Sequence, residues 1–421
     1  RASASAEGIR HVTDPAGETF LPYGRHLVEE DDIAAVTAVL RSDRLTTGPA
    51  VQAFEETLAG RIGAAHAVSC SSGTAALHLA ALALGLGPDD RVVVPTLTFL
   101  ATANAVRYVG AEVVFADVDP ETGLMGDSQL RDALTRATDG TVKAVFPVHL
   151  AGQCAAMERI AAVADDRGLR VVEDACHAIG STYEIRHGEL IPVGSCRHGD
   201  MTVFSFHPVK TVTMGEGGVV TTNDRELYHR LVRLRNHGMV RDASAFEQAD
   251  LAFDREGEAN PWYYELQQLG YNYRSSDLNC ALGLSQLRKL DRFVADRRAL
   301  VARYDALLAP LAPIVRPLGR VAGCRPAWHL YTVLIDFKAA AVERATVMRR
   351  LREAGIGTQV HYLPVHMQPY YRRRYGEQRL VGAETYYGRA LSLPLFAGME
   401  ERDVERVAGA LARSLGMGAT G

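Results

Sequence analysis

Six short runs rich in β-branched residues constrain this chain most: RVVVP at 91–95, EVVFADV at 112–118, KAVFPVHL at 143–150, LRVVEDA at 169–175, MTVFSFH at 201–207 and GVVTT at 218–222. Several are apolar on both faces rather than alternating, the pattern of strands in a mostly parallel sheet covered on both sides. Helical segments fall between several of them, for example 157–167, and that order implies an α/β sandwich. The segment 29–41 opens with acids that suit a helix N-terminus. The apolar stretch 75–86 ends at Gly87-Pro88, a stop signal. After about Asp224 helical patterns dominate, notably over 277–308. The segment 327–417 mixes strand runs (HLYTVLIDF, TQVHY) with helices (ATVMRRLREAG, EERDVERVAGALARSL). We therefore expect a loose N-terminal arm over 1–20, a large α/β domain over 21–300 and a smaller α+β domain over 301–421.

Composition narrows the function classes. At ~150 residues per domain, 421 residues suggest two or three domains. Hydrophobic residues at 47% can fill a large core. Lys+Arg at 46 against Asp+Glu at 50, with no basic block, argues against a nucleic-acid or anionic-membrane surface as the main partner. The longest apolar stretches fall short of the ~20 residues of a bilayer span. Six scattered cysteines form no C-x-x-C pair and no zinc-spaced cluster, which fits reduced thiols and no metal site. The RASASAEGIR opening has no apolar core, so we expect no secretory signal and a cytoplasmic protein.

In a doubly wound α/β fold, ligands sit outside the carboxyl ends of the strands, so polar residues just after apolar runs are candidates. Ser72-Gly73-Thr74 lies between the β-like HAVSCS and a helix. It offers free amides and a positive dipole end to a phosphate, though the same residues would serve as a plain N-cap. Asp174 ends LRVVED, where it could cap the following segment or meet a ligand. Lys210 follows a buried strand in MTVFSFHPVKTVTMGEGGVV, among apolar and aromatic neighbours where an ammonium is costly unless it has chemistry to do. A desolvated lysine is what Schiff-base chemistry needs. Phosphate cradle, strand-end Asp and strand-end Lys together suggest pyridoxal 5'-phosphate (PLP): Lys for the aldehyde, Asp for the ring nitrogen, the helix N-terminus for the phosphate.

Over nearly its whole length, from LPYGRHLVEEDDIAAV to LSLPLF at 396, the chain resembles the DegT/DnrJ/StrS family of sugar aminotransferases. The motifs that carry the resemblance are SDRLTTGP, SSGTAALHLA, PTLTFLATANAV, VEDACHAIG, FSFHPVKTVTMGEGG, LRNHGM and GYNYRSSDLNCALGLSQL. The resemblance implies a fold-type-I PLP enzyme, with a mostly parallel seven-stranded sheet sandwiched by helices and a smaller α+β C-terminal domain. EDACHAIG and PWYYELQQLGYNYR look most like the pseudaminic-acid branch, which aminates C4 of a UDP-linked 4-keto-6-deoxy sugar.

Carried over by residue, Lys210 matches the Schiff-base lysine and Asp174 the partner of the ring nitrogen. Ser72, Gly73, Thr74 and Ser205 match phosphate contacts. Phe99 matches the aromatic that stacks on the cofactor ring, and His177 lies beside it. Asn272 matches a residue reaching the neighbouring subunit's phosphate, which implies a homodimer with shared sites. Tyr23, Thr47, His329 and His361 fall where the family meets its substrate. The implied substrates are a keto-sugar nucleotide and an amino donor, glutamate.

Three departures stand out: His177 where the wider family commonly has Gln, Met214 where Thr usually precedes GEGG, and Ser275-Ser276 for a bulky residue and Thr. None removes a group the chemistry needs. Two rival readings are a sugar dehydratase and a silent binding module. The first would have His in place of Lys210, and the second would have lost Lys210 or Asp174.

Overall fold

In a computed structural model, which describes residues 20–137 and 140–417, the β-rich runs meet in one seven-stranded sheet. From edge to edge its strands are His66–Cys70, Gly218–Thr222, Met201–Ser205, Arg170–Asp174, Thr141–Val145, Asp90–Pro95 and Glu112–Ala116. The strands from Met201–Ser205 to Glu112–Ala116 pair in parallel, and Gly218–Thr222 runs antiparallel to both its neighbours. Val92, Val93, Val94, Val172 and Val203 have no exposed surface, as expected for strands covered on both faces. The arm expected over 1–20 lies, but for Phe20, outside the described residues.

The helix Gly73–Ala83 packs on Gly218–Thr222 and Met201–Ser205. It is buried nearly all round, which explains why its sequence is apolar rather than amphipathic. Its N-terminus is set by Ser72, whose hydroxyl accepts from the Ala75 amide at 3.1 Å. Asp277 caps a different helix, Pro49–Ile62, from 227–229 residues away, accepting from the amides of Gly48 at 2.8 Å and Ala50 at 3.0 Å.

A second hydrophobic cluster contains Leu300, Tyr304, Val333, Ile335, Leu351, Val404 and Leu411, joined by Leu21 from the start of the described chain. It is built on the antiparallel sheet Val315–Pro317, Tyr331–Ile335 and Ala390–Leu393, packed with the helices Leu290–Leu308, Arg344–Glu353 and Glu401–Ser414. Among the described residues no helix is long and apolar enough to cross a membrane.

Three local expectations change. The helix expected over 277–308 divides into Asp277–Arg288 and Leu290–Leu308. Lys289 sits between them at φ −97°, its ammonium within 2.6–3.1 Å of Asp32, Asp31 and Glu29. TQVHY is not a strand: Gln359 makes one bridge to Ser392, and the Val360 amide is taken by the Gln359 side chain at 2.8 Å. Between 235 and 276 helix does not dominate. The segment holds short turns and the two-residue strands Met239–Val240 and Glu265–Leu266, gathered around the Glu265 carboxylate, which accepts from the amides of Glu247 and Gln248.

Candidate active site

A cavity of about 770 Å³ opens where the strands of the large sheet end, lined by residues that follow His66–Cys70, Asp90–Pro95, Arg170–Asp174 and Met201–Ser205. Ser72, Gly73, Thr74, Phe99, Asp174 and His177 all face it. So do Ser205, Lys210, Tyr23, His329 and His361, drawn from segments up to 338 residues apart in the chain.

Asp174 is locked at its strand end. Its amide donates to Pro147 O at 2.8 Å and its carbonyl accepts from His149 N at 3.0 Å. One carboxylate oxygen accepts from Thr102 Oγ1 at 2.6 Å, which is itself 2.7 Å from Thr98 Oγ1, and the other accepts from Cys176 N at 3.1 Å. Each oxygen keeps a lone pair for a further donor. Lys210 is positioned by its amide, which donates to His207 O at 2.8 Å in the turn after Met201–Ser205. Burial shifts the Lys210 ammonium toward its neutral form, against the opposing pull of Cys176 and Asp174. Among the described residues its amine takes part in no ion pair.

The other end of the cavity is shaped by close backbone approach. A Cβ at Gly73 would lie 2.8 Å from Ser205 Cβ and 3.1 Å from its hydroxyl. One at Gly218 would lie 2.2 Å from Ser72 O. Glycine at both points lets the helix N-terminus and the strand end converge, leaving the first helical amides, which have no intrahelical acceptor, beside the Ser205 hydroxyl.

Three histidines form part of the wall, and burial drives all of them toward neutrality. His177 Nδ1 accepts from Ala151 N at 3.3 Å, so Nε2 carries the proton and donates to Tyr362 Oη at 3.1 Å. The His329 ring lies 4.4 Å from that of His177. Its backbone is held by the buried guanidinium of Arg297, which donates to the carbonyls of Trp328 and His329 at 3.3 Å. His329 Nδ1 is a buried polar atom without a partner among the described residues. His361 is 2.8 Å from Ser392 Oγ through Nδ1, lies with its ring tilted 54° to that of Tyr23 at 5.4 Å, and has its pKa lowered by burial to about 3. These imidazoles offer hydrogen bonds to a polar ligand without adding charge near Lys210.

Two expected residues are not in this cavity. Thr47, exposed and at φ +54°, lines a separate cavity of about 540 Å³ with Asn236 and Arg274. Asn272 is exposed and its backbone bridges Asn236. Conversely, Thr98, Thr102, Cys176, Gln359 and Tyr362 belong to the site but were not singled out from the sequence. Thr102 and Cys176 sit inside motifs already noted, and their link to Asp174 emerges only in three dimensions. Tyr362 lay in a run read as a strand.

A doubly wound sheet whose strand ends carry this chemistry makes the chain a PLP-dependent aminotransferase. The residues fit the cofactor: a desolvated amine without an ion pair, a fixed carboxylate with open lone pairs, and helix amides beside a hydroxyl. The model of the DegT/DnrJ/EryC1/StrS aminotransferase family matches residues 26–412, and the chain belongs to that family. It is 41% identical over 391 residues to the spore coat polysaccharide biosynthesis protein SpsC of Bacillus subtilis (strain 168), covering 92% of this chain and 95% of that one. Among solved structures it is similar to Helicobacter pylori PseC, an aminotransferase involved in the biosynthesis of pseudoaminic acid, with TM-score 0.83 and 28% identity over 94% of this chain and 100% of that one. The PLP form of the putative sugar aminotransferase Spr1654 from Streptococcus pneumoniae matches with TM-score 0.82 and 26% identity, covering 94% and 99% of the two chains. The chain is a sugar aminotransferase.

Proposed function

We propose that the protein moves an amino group from glutamate to the C4 ketone of a nucleotide-linked 4-keto-6-deoxy sugar, as in the making of a pseudaminic-acid precursor. The observation that carries the reading is the desolvated Lys210 amine in one cavity with Asp174 and the Ser72–Thr74 helix start. Bound PLP supplies an aldehyde carbon that holds an amino group and a ring that takes up an electron pair. Lys210 would be the residue that holds PLP, through its side-chain amine. Its freed amine, favoured in the neutral form by burial, takes the proton from the donor Cα and later returns one to the sugar carbon that bears the new nitrogen. Asp174, oriented by Thr102 and the Cys176 amide, keeps the ring nitrogen protonated. The amides of Gly73 and Thr74 with the Ser205 hydroxyl bind the phosphate. Phe99, 56% exposed at the cavity wall, offers its face to the ring. Tyr23, His329 and His361 read the sugar.

Thr47 lines a second cavity with Asn236, and the backbone of Asn272 bridges Asn236. We read them as reaching the site of a second copy, so that a homodimer shares its two active sites. A second substrate reading has support of its own. A relative 41% identical is named for spore coat polysaccharide, and the second reading is a different keto-sugar nucleotide, dTDP-linked or with a C3 ketone. Incubation with PLP, glutamate and a panel of 4-keto and 3-keto nucleotide sugars, with products identified by mass spectrometry and NMR, separates the two. Amination only of 3-keto sugars overturns the C4 assignment.

A further inference from the structure

Cys154 and Cys324 are 170 residues apart in sequence, yet the Cys154 amide donates to Cys324 Sγ at 3.2 Å. The Cys154 thiol donates to Thr182 O at 3.7 Å, in the strand that pairs with Cys324–Arg325. They meet where the loop leaving the turn Leu150–Gly152 passes the short strand Cys324–Arg325. Cys154 is buried, whereas Cys324 is half-buried at the start of its strand, between the exposed Gly323 and Arg325.

The environments of the pair differ in the sense that redox chemistry uses. The Cys154 S–H, then its amide and the Arg298 charge, lower the Cys324 pKa, while the Cys154 thiol is raised. A half-buried thiol with a lowered pKa beside a second thiol is the arrangement in which oxidation is captured as a disulfide. Cys70, Cys196 and Cys280, by contrast, are pushed up to about 12 by burial.

The backbones on both sides of the pair are already held together. Gln153 Nε2 donates to Gly319 O at 2.9 Å, Gln153 Oε1 accepts from Val321 N at 3.0 Å, and Ala151 O accepts from His329 N at 3.0 Å. The two segments that carry the sulfurs are thus held side by side.

We propose that Cys154 and Cys324 are a reversible oxidation site, closing to a disulfide when the protein meets hydrogen peroxide. The Cys324 thiolate attacks a peroxide oxygen and the O–O bond breaks. Cys324 becomes a sulfenic acid and the departing oxygen leaves as hydroxide, protonated to water. The Cys154 sulfur then attacks Cys324 Sγ, the S–S bond forms, the S–OH bond breaks, and the hydroxyl leaves with the Cys154 proton as a second water. Sulfur gives up two electrons in all and the peroxide takes them. The bond ties the loop that contacts His177 and His329 to the segment leading into His329, so the oxidation state acts on one wall of the active-site cavity.

The test treats the PLP-loaded full chain with hydrogen peroxide, alkylates the remaining thiols, and maps peptides without reduction. We expect two alkylatable thiols to be lost per chain, a single new peptide pair joining Cys154 to Cys324, and full recovery with dithiothreitol. In Cys154→Ser, dimedone should trap sulfenic acid at Cys324. Wild-type protein in which peroxide oxidises Cys324 while Cys154 stays alkylatable would overturn the proposal. So would a chain whose Cys324 resists peroxide that oxidises its other thiols.

Discussion

Gly73→Ala sets two physical effects against each other. Gly73 is the first residue of the helix Gly73–Ala83, where alanine is the better helix former by up to ~1 kcal/mol. On local grounds the substitution stabilises. The packing says otherwise: the new Cβ would lie 2.8 Å from Ser205 Cβ and 3.1 Å from Ser205 Oγ, closer than side-chain carbons tolerate. Ser205 ends a central strand and cannot retreat without moving its pairing to Gly218. Overpacking of this kind typically costs about 1–3 kcal/mol, so the net expectation is a loss of roughly 1–2 kcal/mol. Ser205→Gly removes both of the nearest atoms and leaves Ser205 Cα at 3.4 Å, an ordinary contact. The double variant should therefore be more stable than the two single losses sum to, with a coupling of about 1 kcal/mol or more. Urea unfolding of the apo chain by circular dichroism, on wild type, both singles and the double, measures this directly. An unfolding midpoint for Gly73→Ala at or above wild type, or losses that add within about 0.5 kcal/mol, would refute the close-approach argument.

Lys210→Ala should abolish transamination and leave the fold intact, and borohydride reduction of the native holo-protein should fix the cofactor to the peptide containing Lys210; label on another lysine ends that assignment. Asp174→Asn should keep some PLP but lose most turnover, because a neutral amide cannot hold the ring nitrogen protonated; near-native kcat would reduce Asp174 to a cap. His361, lowered from 6.5 to about 3, stays neutral in the folded state while the unfolded chain takes up a proton. Its contribution to stability is therefore complete above pH 6.5 and is lost at roughly 1 kcal/mol per pH unit as the pH falls toward 3. NMR should show the His361 ring unprotonated at pH 5, and a normal titration near 6.5 would contradict the burial argument. Co-refolding Lys210→Ala chains with Asn272→Ala chains should rebuild one intact site per heterodimer, and activity flat against mixing ratio after confirmed subunit exchange would reject the shared site.

Much of the fold was legible because its strands declare themselves locally. RVVVP, LRVVED and GVVTT are apolar on both faces, and only a sheet covered on both sides satisfies that pattern. The helix Met157–Arg167 was equally plain from its periodicity. TQVHY misled because its composition is strand-like, whereas its neighbour's side chain takes the amide that a ladder would need. The apparently continuous helix parts at Lys289, whose ammonium meets the carboxylates of Glu29, Asp31 and Asp32 from more than 250 residues away.

Of the site, sequence alone determined the reactive groups: a lysine among apolar residues after one strand, a carboxylate at the end of another, and a small-residue turn ahead of a buried helix. These are local facts, since each concerns a side chain and its immediate neighbours. Only the tertiary structure decided their company. It put Thr102 on Asp174, joined His177 to Tyr362 and packed it against His329, brought Ser205 within van der Waals contact of Gly73, and set Thr47 and Asn272 apart from Lys210. Each of those contacts joins segments dozens to hundreds of residues apart, and no window of sequence contains both partners. Their positions follow from the order of the strands in the sheet, which is set by how the whole chain buries its apolar surface.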